Sequence, residues 1–263
     1  MAFAFQGAGA LDYAPCHYAG SRLAFRGPER PVTGRYLACL GGTETYGRFV
    51  ERPFPDLLEA ELGLPVLNLG CANAGPDVFL SEPGVLALTE RAEAVVVQVG
   101  DLANLSNAFY SVHPRRNDRF LGATPRLRAL YREVDFTEFS FTRHLLQGLV
   151  AVSPTRFQRV MEELRSAWLR QMRYLLARMP GRAVLLSMPH PGAGDAFAPG
   201  PELIAALRPA CAAVLAVPPV EQEDPAELSC APFDLPVARL LPGAAHHRGV
   251  ARALVPVLRP LLK

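Results

Sequence analysis

Short apolar runs, each closed by glycine and then by small polar residues, recur along this chain. Tyr36-Leu37-Ala38-Cys39-Leu40 leads into Gly41-Gly42-Thr43-Glu44-Thr45. Pro65-Val66-Leu67-Asn68-Leu69 leads into Gly70-Cys71-Ala72-Asn73, and Ala94-Val95-Val96-Val97-Gln98-Val99 into Gly100-Asp101. Continuous rather than alternating apolar character predicts strands buried on both faces. Between the first two runs, residues 54–63 read as a helix. Pro55 sits in its first turn, Asp56 suits its positive end, Leu57, Leu58 and Leu62 form the buried stripe, and Gly63 stops it. A helical stretch over residues 77–91 is broken by Pro83 and Gly84. Strand, helix, strand, helix, strand predicts a parallel sheet with its loops gathered on one edge.

The pattern resumes at Ser153-Pro154, an N-cap and first-turn pair. A helix to about residue 179 follows, with Phe157, Val160, Leu164, Trp168, Met172 and Leu175 on one side. Residues 183–188 and 213–217 read as the fourth and fifth strands, with a short helix over 202–207 between them. Residues 189–201 form a Pro/Gly loop carrying His190 and Asp195. Residues 218–243 are loop-rich. An amphipathic helix through Val250, Leu254, Leu258 and Leu261 closes the chain, preceded by His246-His247. The predicted architecture is α/β: a flavodoxin-like three-layer α/β/α domain around a five-stranded parallel sheet, spanning residues 1–263. Residues 1–33 form an irregular arm packed against it.

Residues 108–152 break the pattern and read as an insertion, too long for a simple connection, with several short helices and one starting near Thr142. Aromatic residues such as Phe109, Tyr110 and Phe141 alternate with arginines that include Arg115, Arg116 and Arg143. One expectation is a surface subdomain with a solvated basic face, which would serve as a contact surface in a homo-oligomer. The other is a lid whose arginines, Arg115 and Arg116 first, grip an anionic substrate, since guanidinium forks match carboxylate, sulfate and phosphate.

Composition narrows the function classes. A formal net charge of +2 argues against nucleic acid and against an anionic membrane surface. No apolar run approaches the roughly 18 residues of a membrane span, and the first residues lack the basic and apolar regions of a secretory signal. Five cysteines, odd in number and widely spaced, suit a reducing cytoplasm, with Cys39 and Cys71 as small buried residues. None of the six histidines has ligand spacing with a second Cys, His or acid, so no metal and no cofactor is expected.

The candidate chemistry begins at Thr43 and Thr45. Either would cap a following turn, or stand at the mouth of the crevice beyond the first strand. A hydroxyl nucleophile needs a base, and His246 or His247 supplies one in principle. In sequence, these blocks resemble the SGNH/GDSL hydrolase superfamily. Gly41-Gly42-Thr43-Glu44-Thr45-Tyr46-Gly47 is similar to its first block, with Thr43 where the serine stands. Asn68-Leu69-Gly70 with Asn73-Ala74-Gly75 resembles the second. Val97-Gln98-Val99-Gly100 followed by Asn104 resembles the third, and His246 or His247 with Gly249 the last. The resemblance covers residues 36–107 and 183–263. It implies Thr43 as nucleophile, His246 or His247 as base, and Gly70 and Asn104 as oxyanion donors. Glu44, Thr45, Asn73, Arg115 and Arg116 would then contact a small-molecule or carbohydrate substrate.

Three positions depart from that pattern. Thr43 replaces serine and carries a methyl that stiffens χ1. Gly42 replaces the first block's aspartate. Gly243 and Ala244 stand three residues before the two histidines, where the superfamily has an acid; in a comparable triad, losing that acid costs about 10⁴ in kcat. Glu44, Asp195 or Asp234 would have to replace it. Two functions are therefore expected: an ester hydrolase or acyltransferase, or a non-catalytic protein that binds a ligand or glycan in the same crevice.

Overall fold

The computed structural model describes residues 11–188, 196–220 and 229–262. A five-stranded parallel sheet forms its centre. In chain order its strands are β1 (Leu37–Gly41), β2 (Val66–Gly70), β3 (Ala94–Gln98), β6 (Ala183–Ser187) and β7 (Ala213–Ala216). Their spatial order is β2-β1-β3-β6-β7. This is the flavodoxin-like order, in which the strand order switches direction between β1 and β3 and so opens a crevice past their carboxyl ends. Leu37 pairs with both Val66 and Ala94, and Leu40 with both Leu69 and Val97, so three strands end level.

Alternate residues of each strand feed two cores. Leu37, Cys39, Val66, Val96, Val184 and Leu186 pack against α2 (Phe54–Leu62) and α10 (Ala244–Leu258). Ala38, Leu40, Leu67, Val95, Val97 and Leu185 pack on the other face against α4 (Pro83–Arg91) and α7 (Pro154–Leu176). Both faces being covered explains why the strands read as unbroken apolar runs. Ser153 caps α7, its hydroxyl accepting from Arg156 N–H at 3.3 Å, as Ser153-Pro154 predicts. Trp168 on that helix is fully buried. Part of the N-terminal arm is described: Cys16 and Phe25 form an antiparallel bridge, and Tyr18 and Leu23 join the second core.

The insertion departs from the expectation of short helices alone. It opens with an antiparallel hairpin, β4 (Tyr110–His113) and β5 (Arg116–Ala123), before α5 (Pro125–Leu130) and α6 (Thr142–Val152). Tyr110, Val112 and Phe120 are buried while Ser111, Arg119 and Leu121 are exposed, a period-two pattern over too few residues to register beside the basic composition. Its aromatics are mostly interior. Phe109, Tyr110, Phe120, Tyr131 and Phe136 belong to the same core as the sheet. Several arginines lie over these rings from outside, Arg126 on Phe109 and Arg128 on Phe136. The aromatic and basic interleaving thus serves the fold itself.

Burial pushes the Cys39 and Cys71 thiols up, Cys71 to about 12. At neutral pH they are protonated and unreactive, in keeping with their role as small core residues.

Candidate ligand-binding site

The crevice at the switch in strand order holds a cavity of about 290 Å³. Loops after four strands line it: Gly42, Thr43 and Glu44 after β1, Asn73 and Ala74 after β2, Val99, Gly100, Asp101 and Asn104 after β3, and Met188 after β6. Arg143, in the first turn of α6, closes one side. Ala198, Pro199 and Leu241 supply apolar wall.

Gln98 organises the floor. As the last residue of β3 it is 8% exposed, and a buried amide is costly unless hydrogen-bonded. Its Oε1 accepts from Gly42 N–H at 3.0 Å, from Thr45 N–H at 3.1 Å and from the Thr45 hydroxyl at 2.6 Å. Its Nε2 donates to Glu44 Oε2 at 2.7 Å. One side chain therefore pins the loop that carries Thr43 and Glu44. Gly41 permits this, because a Cβ there would run into Thr45 Oγ1 and Gln98 Oε1. The signal for Gln98 was present in the chain, a lone amide ending a β-branched run.

A second network runs through Asn73. The Thr43 hydroxyl donates to Asn73 Oδ1 at 3.1 Å and accepts from Asn73 N–H at 3.0 Å. Asn73 Nδ2 donates to Asp118 Oδ2 at 3.1 Å, and Arg116 grips the same carboxylate with two bonds of 3.2 Å. Asn104 Nδ2 donates to Asn73 O at 3.3 Å, while its Oδ1 accepts from the Thr142 hydroxyl at 3.1 Å. Asp118 on β5 and Thr142 on α6 both come from the insertion, which thereby braces the loop after β2.

The structure thus brings together Thr43, Glu44, Asn73 and Asn104 of the sequence-predicted site. The others lie elsewhere. Thr45 is fully buried under Gln98 and does not line the cavity. Neither Thr43 nor Thr45 caps the short helix α1 (Thr43–Tyr46), since each hydroxyl is engaged across loops. Gly70 is corrected as an oxyanion donor: its N–H donates to Asn68 Oδ1 at 3.0 Å, and it is absent from the cavity lining. Arg115 and Arg116 are exposed and outside the lining, Arg116 being spent on Asp118. The insertion arginine at the cavity is Arg143, which is paired with Asp101 and lies over the Phe197 ring. That pairing offsets its charge and weakens the case for an anionic substrate.

Both imidazoles are interior, in the first turn of α10, and neither lines the cavity. His247 is fully buried, stacked on Phe54 with ring centroids 5.9 Å apart. Its Nδ1 accepts from Phe54 N–H at 3.0 Å, tying α10 to the start of α2. Burial, helped by His246 and Arg26 and opposed by Glu44, depresses its pKa to about 3. His247 is therefore a neutral structural residue, which corrects its role as a base. Asp234, a candidate orienting acid, lies 3.8 Å from Arg48. His190 and Asp195 fall outside the described residues. Among the described residues no cluster of three or more His, Cys, Asp or Glu could hold a metal, and no helix is long and apolar enough to cross a membrane.

Three solved structures align over most of the chain. A carbohydrate esterase family 2 enzyme with a carbohydrate-binding domain, from Corynascus thermopiles (Myceliophthora fergusii), is 13% identical at a TM-score of 0.44, covering 88% of this chain and 69% of its own. A lipase from the goat rumen metagenome is 13% identical at 0.41, covering 85% and 97%. A protein from Lactobacillus plantarum is 17% identical at 0.37, covering 86% and 97%. No curated protein matches the sequence. A family model described as "Domain of unknown function (DUF6473)" matches residues 1–262, and with nearly the whole chain inside that match, the protein belongs to this family.

Proposed function

We propose that this protein binds a small polar ligand of carbohydrate size in the crevice between β1 and β3, without acyl transfer through Thr43. The observation that carries this reading is the engagement of the Thr43 hydroxyl. Its proton points to Asn73 Oδ1 and its lone pair takes Asn73 N–H. A hydroxyl becomes a nucleophile when a base removes its proton, and an amide oxygen is far too weak a base for that. The described lining is rich in amides and hydroxyls, the groups that recognise a polyhydroxylated ligand.

A second reading is favoured by one feature: Thr43 and Asn104 share the cavity at the positions where the SGNH/GDSL pattern has its nucleophile and side-chain oxyanion donor. On that reading the protein is an ester hydrolase or acyltransferase, with His246 or a residue outside the described segments as base.

Hydrolysis of short p-nitrophenyl esters separates the two. The wild type and Thr43→Ala are expected to give the same rate, within about twofold of buffer. A wild-type rate at least about tenfold above that of Thr43→Ala would instead establish the hydrolase and end the binding reading.

A further inference from the structure

We propose that Asp118 is a positioning residue that sets the specificity of the crevice: it fixes the Asn73 amide, so that Thr43 meets a ligand only as a hydrogen-bond acceptor. The ligand group at Thr43 is then a donor, the hydroxyl of a polyol, and an ether, ester or carboxylate oxygen is refused there. This deepens the binding reading above and rests on it.

The amide's orientation follows from partners that each play one part. A carboxylate only accepts, so the Asn73 group 3.1 Å from Asp118 Oδ2 is Nδ2. Two bonds from Arg116, both 3.2 Å, hold that carboxylate in place. The reversed amide would set Oδ1 against the carboxylate, replacing a charge-assisted bond with repulsion. Oδ1 therefore faces the Thr43 hydroxyl at 3.1 Å and takes its proton. Asn73 N–H, which only donates, fills one lone pair of the same hydroxyl at 3.0 Å. A hydroxyl has one proton and two lone pairs, so Thr43 keeps a lone pair for a ligand. Asn73 holds both contacts from a φ of 55°, in the left-handed region that asparagine adopts more readily than most residues. Asn104 is fixed by the same logic, between the Asn73 carbonyl and the Thr142 hydroxyl, which leaves it one N–H. The cavity thus presents an acceptor at Thr43 and a donor at Asn104, a pair that hydroxyl-rich ligands satisfy. The residue before Asp118 on β5 fixes the loop's backbone. Asn117 is fully buried, accepts from Gly75 N–H at 2.9 Å and donates to His113 O at 3.0 Å. Asn117 sets the position of the loop after β2, and Asp118 sets its polarity.

Asp118→Ala leaves the Arg116 guanidinium as the charge beside the Asn73 amide, which then turns Oδ1 outward and Nδ2 onto Thr43. Both Thr43 lone pairs are then filled, and its proton faces the cavity. Asn117 still holds Gly75, so the unliganded Tm is expected near wild type. Two readouts follow the change. In protein made with isotope-labelled asparagine, a nuclear Overhauser cross-peak between the Asn73 Nδ2 protons and the Thr43 side chain is expected to be absent in wild type and present in Asp118→Ala. A loop that was merely loosened would broaden the amide protons and give no cross-peak. The second readout is thermal unfolding with D-glucose and its monodeoxyfluoro analogues at roughly tens of millimolar, since fluorine in place of a hydroxyl cannot donate. At least one analogue is expected to bind wild type about tenfold or more weakly than glucose, and Asp118→Ala to cut that penalty to within about threefold. A cross-peak already present in wild type, none in the variant, or a fluorine penalty that Asp118→Ala leaves unchanged would overturn the proposal. No shift with glucose or any analogue would overturn the binding reading and the ligand preference with it, whereas the cross-peaks test the role of Asp118 on their own.

Discussion

Between pH 6.5 and pH 3 the protein is expected to lose roughly 4 to 5 kcal/mol of folding stability through His247 alone. The folded imidazole titrates near 3, because burial first and then His246 and Arg26 disfavour its charged form, with Glu44 the one opposing influence. The unfolded side chain titrates near 6.5. Below 6.5 the unfolded chain therefore binds a proton that the folded chain refuses. Stability falls as pH drops through this window and is fully present above it. His247→Asn keeps an acceptor for Phe54 N–H and has no titration here. Urea unfolding of both proteins at several pH values isolates the effect, since the other acids are common to both. The wild-type curve should fall more steeply than the variant's from pH 6 to pH 4. Parallel curves would show that His247 is solvated and charged in the folded protein, and would restore it as a candidate base.

The second large effect is expected at Gln98. Gln98→Leu keeps the volume and orphans three donors, Gly42 N–H, Thr45 N–H and the Thr45 hydroxyl. A buried donor without a partner costs about 1 to 3 kcal/mol. Gly42 borders the cavity, where water can replace part of the loss, so a total near 3 kcal/mol is expected, or roughly 6 to 12 °C in Tm. Freeing the loop also releases Glu44, so the same variant should lose any ligand-induced Tm shift. A change below about 1 kcal/mol would mean that the loop is held by its backbone and not by the amide.

Much of the sheet was legible before any coordinates. The runs at 37–41, 66–70, 94–98, 183–187 and 213–216 are the five parallel strands, with helix signals at Pro55 and Ser153 where helices begin. These are local signals: a strand covered on both faces must be apolar throughout, and a helix start must satisfy its own N–H groups. The hairpin at Tyr110 to Ala123 escaped because its alternation spans few residues and is overlaid by arginines that stack on aromatics. Thr43, Glu44, Asn73 and Asn104 were found as neighbours because the switch in strand order brings loop ends together whatever their exact lengths.

Where each side chain would point was a different matter. From its own residues the chain determined which segments become strands, that they lie parallel, and that their polar loops gather at one edge. Whether Gly70 offers its N–H to the crevice or to Asn68, whether His247 meets Thr43 or Phe54, and whether Arg116 or Arg143 reaches the cavity were decided only by the packing of α10, β5 and α6 against the sheet. The physical reason is range. Burial and backbone hydrogen bonding act along a few neighbouring residues, whereas a side chain's partner is set by whichever distant element arrives beside it.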